Sequence, residues 1–207
     1  LAGKPMICYS IDAALGAVTT KNICVSTDDL EIKKIVEDYG IKVPFIRPAY
    51  LASDTSGSRE VLLHAIEYYN KLGKEFENIC LLQATSPFRT TQHIYEAFNQ
   101  WSSDLDMVIS VKETKSNPYF VLREENEKGY LVKSKEASFE RKQDYPKVYE
   151  LNGAIYIISV SALKNKPISQ FSKVRKYLMD DQSSIDIDTL LDWKMAEVIL
   201  KESVKNK

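Results

Sequence analysis

Near the end of the chain, the stretch SIDIDTLLDW (184–193) sets two carboxylates, Asp186 and Asp188, on either side of Ile187. In an extended chain, residues i and i+2 point to the same side, about 6.5 Å apart. Two like charges there repel by about 2.5 kcal/mol at an effective dielectric of about 20. Water screens that repulsion, and a hard divalent cation with oxygen ligands reverses its sign. Ile187 would then point into the core and fix the pair. The plainer reading is that Asp188 caps the helix beginning beyond it and Asp186 is a surface residue. At Asp188 the two readings are compatible.

Other polar residues follow apolar runs in the same way. Thr27-Asp28-Asp29 follows NICVS (22–26), and Arg47-Pro48 and then AYLASDTSGS follow KVPFI (42–46). Gln83-Ala84-Thr85-Ser86-Pro87-Phe88-Arg89-Thr90 follows NICLL (78–82). Open α/β sheets bind ligands outside the carboxyl ends of their strands. An edge rich in Arg, Gln, hydroxyls and carboxylates suits a phosphorylated, polyhydroxylated ligand with a metal, and does not suit an apolar one. Taken singly, each has a plain alternative. Asp28 and Asp29 are natural helix caps, SDTSGS is an ordinary helix-start loop, and QATSPFRT is a turn around Pro87.

The elements that must carry these residues alternate in type. PMICYSIDAAL reads as a helix with Pro5 at its first position and Ile7, Ile11, Ala14 and Leu15 on one face. DLEIKKIVEDYG is a helix ended by Gly40, and Ser58 can cap a helix running to Leu72. TTQHIYEAFNQWS is another, followed by the strand MVISV (107–111). NICVS, NICLL and MVISV have the continuous apolar character of strands buried on both faces. Pro44 marks KVPFI as an edge. Together these predict an α/β fold: a Rossmann-like, parallel-rich sheet with helices on both faces. From Asn117 to Glu150 the pattern becomes short extended pieces between charged stretches, a β-rich excursion of the kind used as a lid or dimer arm. The chain rejoins the core at NGAIYIIS (152–159).

Composition narrows the class. A chain of 207 residues is expected to be one domain, 1–207, with 117–150 as the excursion. With 28 basic and 29 acidic residues there is no bulk charge to draw nucleic acid or an anionic membrane. No apolar run is long enough for a membrane span. Cys8, Cys24 and Cys80 lie in apolar surroundings without CxxC spacing, as small buried hydrophobes in a reducing cytoplasm. His64 and His93 stand alone on predicted helices and read as structural or surface residues. No GxGxxG follows a strand, which disfavours a dehydrogenase.

The segments VSTDD (25–29), RPAYLASDTSGS (47–58), LLQATSPFRT (81–90), NGAIYI (152–157) and SSIDID (183–188) occur in this order. The order resembles that of the cytidylyltransferases that activate nine-carbon sugar acids: the CMP-N-acetylneuraminate synthetases and bacterial relatives acting on legionaminic and similar acids. The resemblance covers almost the whole chain. It implies a nucleotide-diphospho-sugar transferase-like fold, CTP as co-substrate, Mg2+ as cofactor and a homodimer. It also implies Asp186 and Asp188 as magnesium ligands and catalytic residues, and Arg47, Ser56 and Ser58 around the cytidine. Gln83, Arg89, Arg141 or Lys142, and Tyr156 would meet the sugar acid, although core packing on a strand equally explains Tyr156. The alternatives are a cytidylyltransferase for another keto acid such as Kdo, and a non-catalytic nucleotide-binding domain.

The chain departs from that family's pattern in several places. Ser56 stands where Ala is common, and Phe120 in NPYFVL where Lys often stands. ISQFS (168–172) replaces an aromatic pair that one subunit lends to the other. These departures point the sugar pocket toward a nonulosonic acid other than sialic acid, such as legionaminic acid. The family's opening strand and basic loop, of the type PARxGSKGxxxKN, would lie upstream of Leu1. The expectation is a longer gene product, with weak or no catalysis in its absence.

Overall fold

The computed structural model describes residues 1–52, 57–136, 138, 141 and 144–205. The α/β class holds. The main sheet has four strands in the order β1 (Asn78–Leu82), β5 (Tyr149–Ser159), β2 (Met107–Glu113) and β6 (Val174–Leu178). β2 and β6 pair in parallel, while β5 runs antiparallel to both of its neighbours. Three of the four strands therefore share a direction, and β5 is threaded against them at the centre.

Alternation along the strands divides the core. One face buries Val108, Ile155 and Ile157 beneath helices α1 (Met6–Ala17) and α4 (Thr91–Phe98), through Ala13, Ile94 and Ala97. The other buries Met107, Ile109, Val111 and Ile158 beneath α3 (Ser58–Lys71) and α5 (Val160–Asn165), through Ile66 and Leu163. Successive side chains of a strand point to opposite faces, so this split follows directly from the apolar runs. Helices cover both faces as the sequence predicts, but the sheet is mixed: of the three pairings only β2 with β6 is parallel.

Two expected strands are extended segments instead. NICVS and KVPFI meet in a single parallel bridge, Thr27 with Ile46, with Arg47 N–H donating to the Thr27 carbonyl at 2.8 Å. Pro44 has no N–H to give a ladder. Their apolar residues Ile23, Val25 and Val43 still pack with Ile11, Val36 and Ile41 under α2 (Leu30–Asp38). Gly40, at φ 91°, ends α2 while Ile41 N–H returns to the Val36 carbonyl at 3.1 Å.

The cap of α3 also differs: Gly57 is the residue before the helix, makes no side-chain cap bond, and Ser58 is the first helical residue. Arg59 anchors this helix start by donating to the Leu163 carbonyl at 2.9 Å and the Lys164 carbonyl at 3.2 Å, at the end of α5. Pro5 likewise precedes α1 rather than opening it.

The excursion is a hairpin of β3 (Arg123–Glu125) and β4 (Leu131–Lys133), separate from the main sheet. Buried Asn117 staples its two ends, donating from its amide to the Pro146 carbonyl at 3.1 Å and accepting from Tyr119 N–H. Among the described residues, no helix is long and apolar enough to cross a membrane.

The cysteines divide in an unexpected way. Cys8 is fully buried on α1, Cys24 is half-buried and Cys80 is exposed on β1; all three are free thiols. Cys80 lies on β1, at one edge of the described sheet. The histidines are structural. His93 Nδ1 accepts from Thr90 N–H in a capping box, and His64 sits edge-on to Phe45 at 4.7 Å.

Candidate active site

The carboxylate pair lies on an irregular extended segment, not a strand, between β6 and the last helix, α6 (Leu190–Lys205). Ile187 is buried with Leu1 and Ala196, against Phe88 and Trp193. Its N–H donates to the Thr85 carbonyl at 2.9 Å, tying the segment to the loop after β1. The expected inward Ile187 is thus present, and it holds Asp186 half-buried and Asp188 exposed on either side.

Asp188 does not cap α6. Thr189 does: its Oγ1 accepts from Asp192 N–H at 3.3 Å, while Asp192 Oδ2 accepts from Thr189 N–H at 2.8 Å. This reciprocal arrangement satisfies two of the helix's orphan donors, and the Thr189 hydrogen bonds hold the Asp192 carboxyl below its ordinary range. The Asp188 carboxylate is consequently left without a hydrogen-bond partner among the described residues. Among the described residues, Asp186 accepts one long bond, 3.4 Å, from Ser86 Oγ.

Around Asp186 the backbone comes close. Gly153, at φ 71°, lies where an added Cβ would sit 2.8 Å from Gln83 Oε1 and 3.1 Å from Asp186 Oδ2. Gln83 at the end of β1, Gly153 on β5 and Asp186 therefore meet at one point. Tyr156 is beside them: it is half-buried, and burial first, with the Asp186 charge second, pushes its phenol up. Tyr156 also packs with the β2–α3 core, as the core-packing reading of it expects. A polar cleft of about 400 Å³ runs from Asp186 and Asp188 past Ser184, Asn152 and Lys112.

Arg89 departs from its expected role. It is buried, with its guanidinium donating to the Ala154 carbonyl at 2.6 Å, the Gln83 carbonyl at 3.0 Å and Ser10 Oγ. Burial pulls its pKa down to about 10, partly offset by Cys80 and then by the charge of Asp186. These bonds make it a strut beneath the site, joining α1, the end of β1 and β5, rather than a group open to ligand. Its burial follows from the fold, which packs the loop after β1 against α1 and β5.

Arg47 pairs with Asp28, whose carboxyl it holds down, and Asp29 caps α2 through Glu31 and Ile32 N–H. No hydrogen bond or ion pair among the described residues connects Arg47 with Asp186. Arg141 is exposed on the excursion and accepts from Asp144 N–H through its carbonyl. Ser56 and Lys142 lie outside the described residues.

The donor set fits a magnesium ion. Among the described residues there is no group of three or more His, Cys, Asp or Glu side chains placed to cage a metal. The Asp188 carboxylate, and that of Asp186 with its one long bond from Ser86, match the habit of Mg2+, which takes one or two carboxylates plus substrate phosphates and waters. Asp186 and Asp188 would hold it.

A three-layered α/β core with this carboxylate pair beyond the ends of β1 and β2 has the pair where open α/β sheets bind their ligands. Comparison with known proteins makes the class specific. The family model described as cytidylyltransferase matches residues 1–202. The chain is 36% identical over 202 residues to the post-translational flagellin modification protein B of Campylobacter coli, covering 95% of this chain and 84% of that one. It is 34% identical over 207 residues to the CMP-N,N'-diacetyllegionaminic acid synthase of Legionella pneumophila, covering 97% and 87%. The solved CMP:2-keto-3-deoxy-manno-octonic acid synthetase complexed with CTP shares the fold, with a TM-score of 0.67 at 15% identity, over 97% of this chain and 89% of that one. The chain belongs to the cytidylyltransferase family and is a nucleotidyltransferase.

Proposed function

We infer that the protein transfers the cytidylyl group of CTP to the anomeric 2-hydroxyl of a nine-carbon 2-keto sugar acid. The hydroxyl oxygen forms a bond to the α-phosphorus as the bond to the bridging oxygen of the β-phosphate breaks. The hydroxyl proton is lost to solvent, and CMP-sugar and pyrophosphate leave. The observation that carries this reading is the meeting of Gln83, Gly153 and Asp186 at one point, with Asp188 two residues on. The 34% identity to a synthase named for N,N'-diacetyllegionaminic acid supports legionaminic acid or a related nonulosonic acid as the sugar.

When bound, Mg2+ offsets charge on the attacking and leaving oxygens. The chain's own groups do the rest by position and electrostatics, as phosphoryl chemistry requires. Asp186 and Asp188 hold the cation, Gly153 lets backbone approach the site, and Gln83 and Tyr156 orient the sugar acid. Arg47, Ser56 and Ser58 take the cytidine, and Arg141 or Lys142 offers a cation to the sugar carboxylate.

The excursion reads as a dimer arm. A two-stranded hairpin by itself is marginally stable in water, and this one exposes Tyr130 at 67% and Leu131 at 72%. A second copy covering it would remove that surface from water, and light scattering should give a dimer; a monomer contradicts this. Use of CTP and three free thiols fit a cytoplasmic location.

The reading is tested with the full-length protein, CTP and Mg2+ against a panel of legionaminic, neuraminic, pseudaminic and octulosonic acids, following pyrophosphate. Release with a nine-carbon acid is expected. Release with none of the panel overturns the reading, and preference for the octulosonic acid replaces it with the Kdo alternative.

A further inference from the structure

The geometry points to Asn152 as a positioning residue that sets Asp186 through a buried hydrogen-bond relay, an inference that rests on the catalytic reading of the carboxylate pair. Asn152, Ser110 and Ser184 are all nearly inaccessible, at 4%, 0% and 3%. Ile109 of β2 faces Tyr156 of β5, yet Val111 faces Leu151, so residues 152–155 bulge out of the ladder. Such bulges re-aim chain beside active sites.

Ser110 holds the bulge. Its Oγ donates to Asn152 Oδ1 at 2.6 Å and accepts from Ile155 N–H at 2.7 Å. Asn152 Oδ1 also accepts from Ala154 N–H at 3.2 Å, closing the turn around Gly153. On its other side the Asn152 amide nitrogen donates to Ser184 Oγ at 2.8 Å and Met179 Sδ at 3.4 Å. Every hydrogen-bonding capacity of this side chain is therefore used, and none is left for a ligand.

The consequence falls on Asp186. Ser184 is bound to Asn152 two residues before it, and Ile187 N–H is bound to Thr85 one residue after it. Asp186 is suspended between these anchors, which belong to β5 and to the loop after β1. Its Oδ2 is thereby kept against Gly153, the residue that the same bulge pushes forward. One relay thus sets both partners of the closest approach in the site. Misplacement of a reacting group by about 1 Å costs on the order of a hundredfold in rate, so a relay of this kind acts on turnover more than on substrate binding.

The test uses S184A, which cuts the relay at the carboxylate segment, and S110A, which cuts it at the bulge; both are milder than N152A, which removes the bonds to both Ser110 and Ser184 at once. Turnover of both variants should fall by about tenfold with KM for CTP and the sugar acid within about twofold. The Mn2+ concentration that half-saturates the protein with CTP, read by electron paramagnetic resonance, should rise several-fold. Amide exchange at Ile187 should accelerate while that of Val36, in the separate α2 cluster, stays unchanged. Wild-type Mn2+ binding and unaltered Ile187 exchange in both variants would overturn the relay. If both respond as expected while the wild-type protein turns over no sugar acid, the relay stands and the activity assigned to the site fails.

Discussion

Gly153 and Asp186 are in near contact: an added Cβ on Gly153 would meet Asp186 Oδ2 at 3.1 Å and Gln83 Oε1 at 2.8 Å. The glycine also holds φ 71°, where an L side chain is strained. Gly153→Ala should therefore cost about 1–2 kcal/mol in unfolding free energy and reduce turnover at least tenfold by displacing the carboxylate. Chemical denaturation and steady-state kinetics check the two effects separately.

The cap of α6 and the metal pair are adjacent but chemically separate. Thr189 and Asp192 satisfy the helix start, and the Asp188 carboxylate takes no part. Thr189→Ala should lower stability by about 1 kcal/mol while leaving the Mg2+ dependence of turnover as in the wild type. A thermal melt paired with a Mg2+ titration separates the roles. If Asp188 were the cap, the stability loss would follow Asp188→Ala instead.

Arg89 should behave as a structural residue. Its bonds to the Ala154 carbonyl and Ser10 satisfy buried acceptors, and a third goes to the half-buried Gln83 carbonyl. Removing one partner of such a set strands the others. Arg89→Met should lower the unfolding free energy by about 3 kcal/mol or more, measurable as a shift in urea midpoint. KM for the sugar acid should change little in the protein that remains folded, whereas a large rise in KM at unchanged stability would restore its expected role in substrate binding.

Asp106 gives the fold an acid-sensitive joint. Lys166 donates to it at 2.9 Å, and Lys173 and Ser172 N–H add 3.0 Å and 2.9 Å bonds. The Lys166 bond first, then the backbone bonds, hold the carboxyl down to about 2. Because the folded value lies below the unfolded one, this stabilisation is complete above about pH 4 and is lost as pH falls toward about 2. Urea midpoints should drop over that window in the wild type, and Asp106→Asn should flatten this part of the decline while lowering stability at neutral pH.

Much of the architecture was legible because apolar periodicity reports burial. The helices containing Ile11, Val36, Ile66 and Ile94 and the strands NICLL and MVISV are where their patterns place them. Strand direction was not legible. A short run such as GAIYIIS carries no mark of running antiparallel between two parallel neighbours, which is set by how the excursion returns the chain. β6 was missed because only Tyr177 of its residues is buried, leaving no alternation to detect.

At the site, the inward Ile187 followed from the i, i+2 spacing alone. The α6 cap was misassigned by one residue, although Thr189-x-x-Asp192 is itself a local capping-box signal that identifies it. The resemblance places Arg89 at the ligand; its burial depends on Ser10, Gln83 and Ala154 converging from three elements, which no local pattern reports. The Asn152 relay joins residues 42 and 32 positions apart in sequence, a spacing no local pattern reports.

The central claim is that Asp186 and Asp188 form the cation site at which CTP reacts. It is tested most directly by acid-dependent pyrophosphate release from the full-length protein and its Asp186→Asn and Asp188→Asn variants, with CTP binding measured in parallel. The account predicts release in the wild type, loss of turnover by at least a hundredfold in both variants, and CTP binding largely retained. Turnover at the wild-type rate in both variants would contradict it.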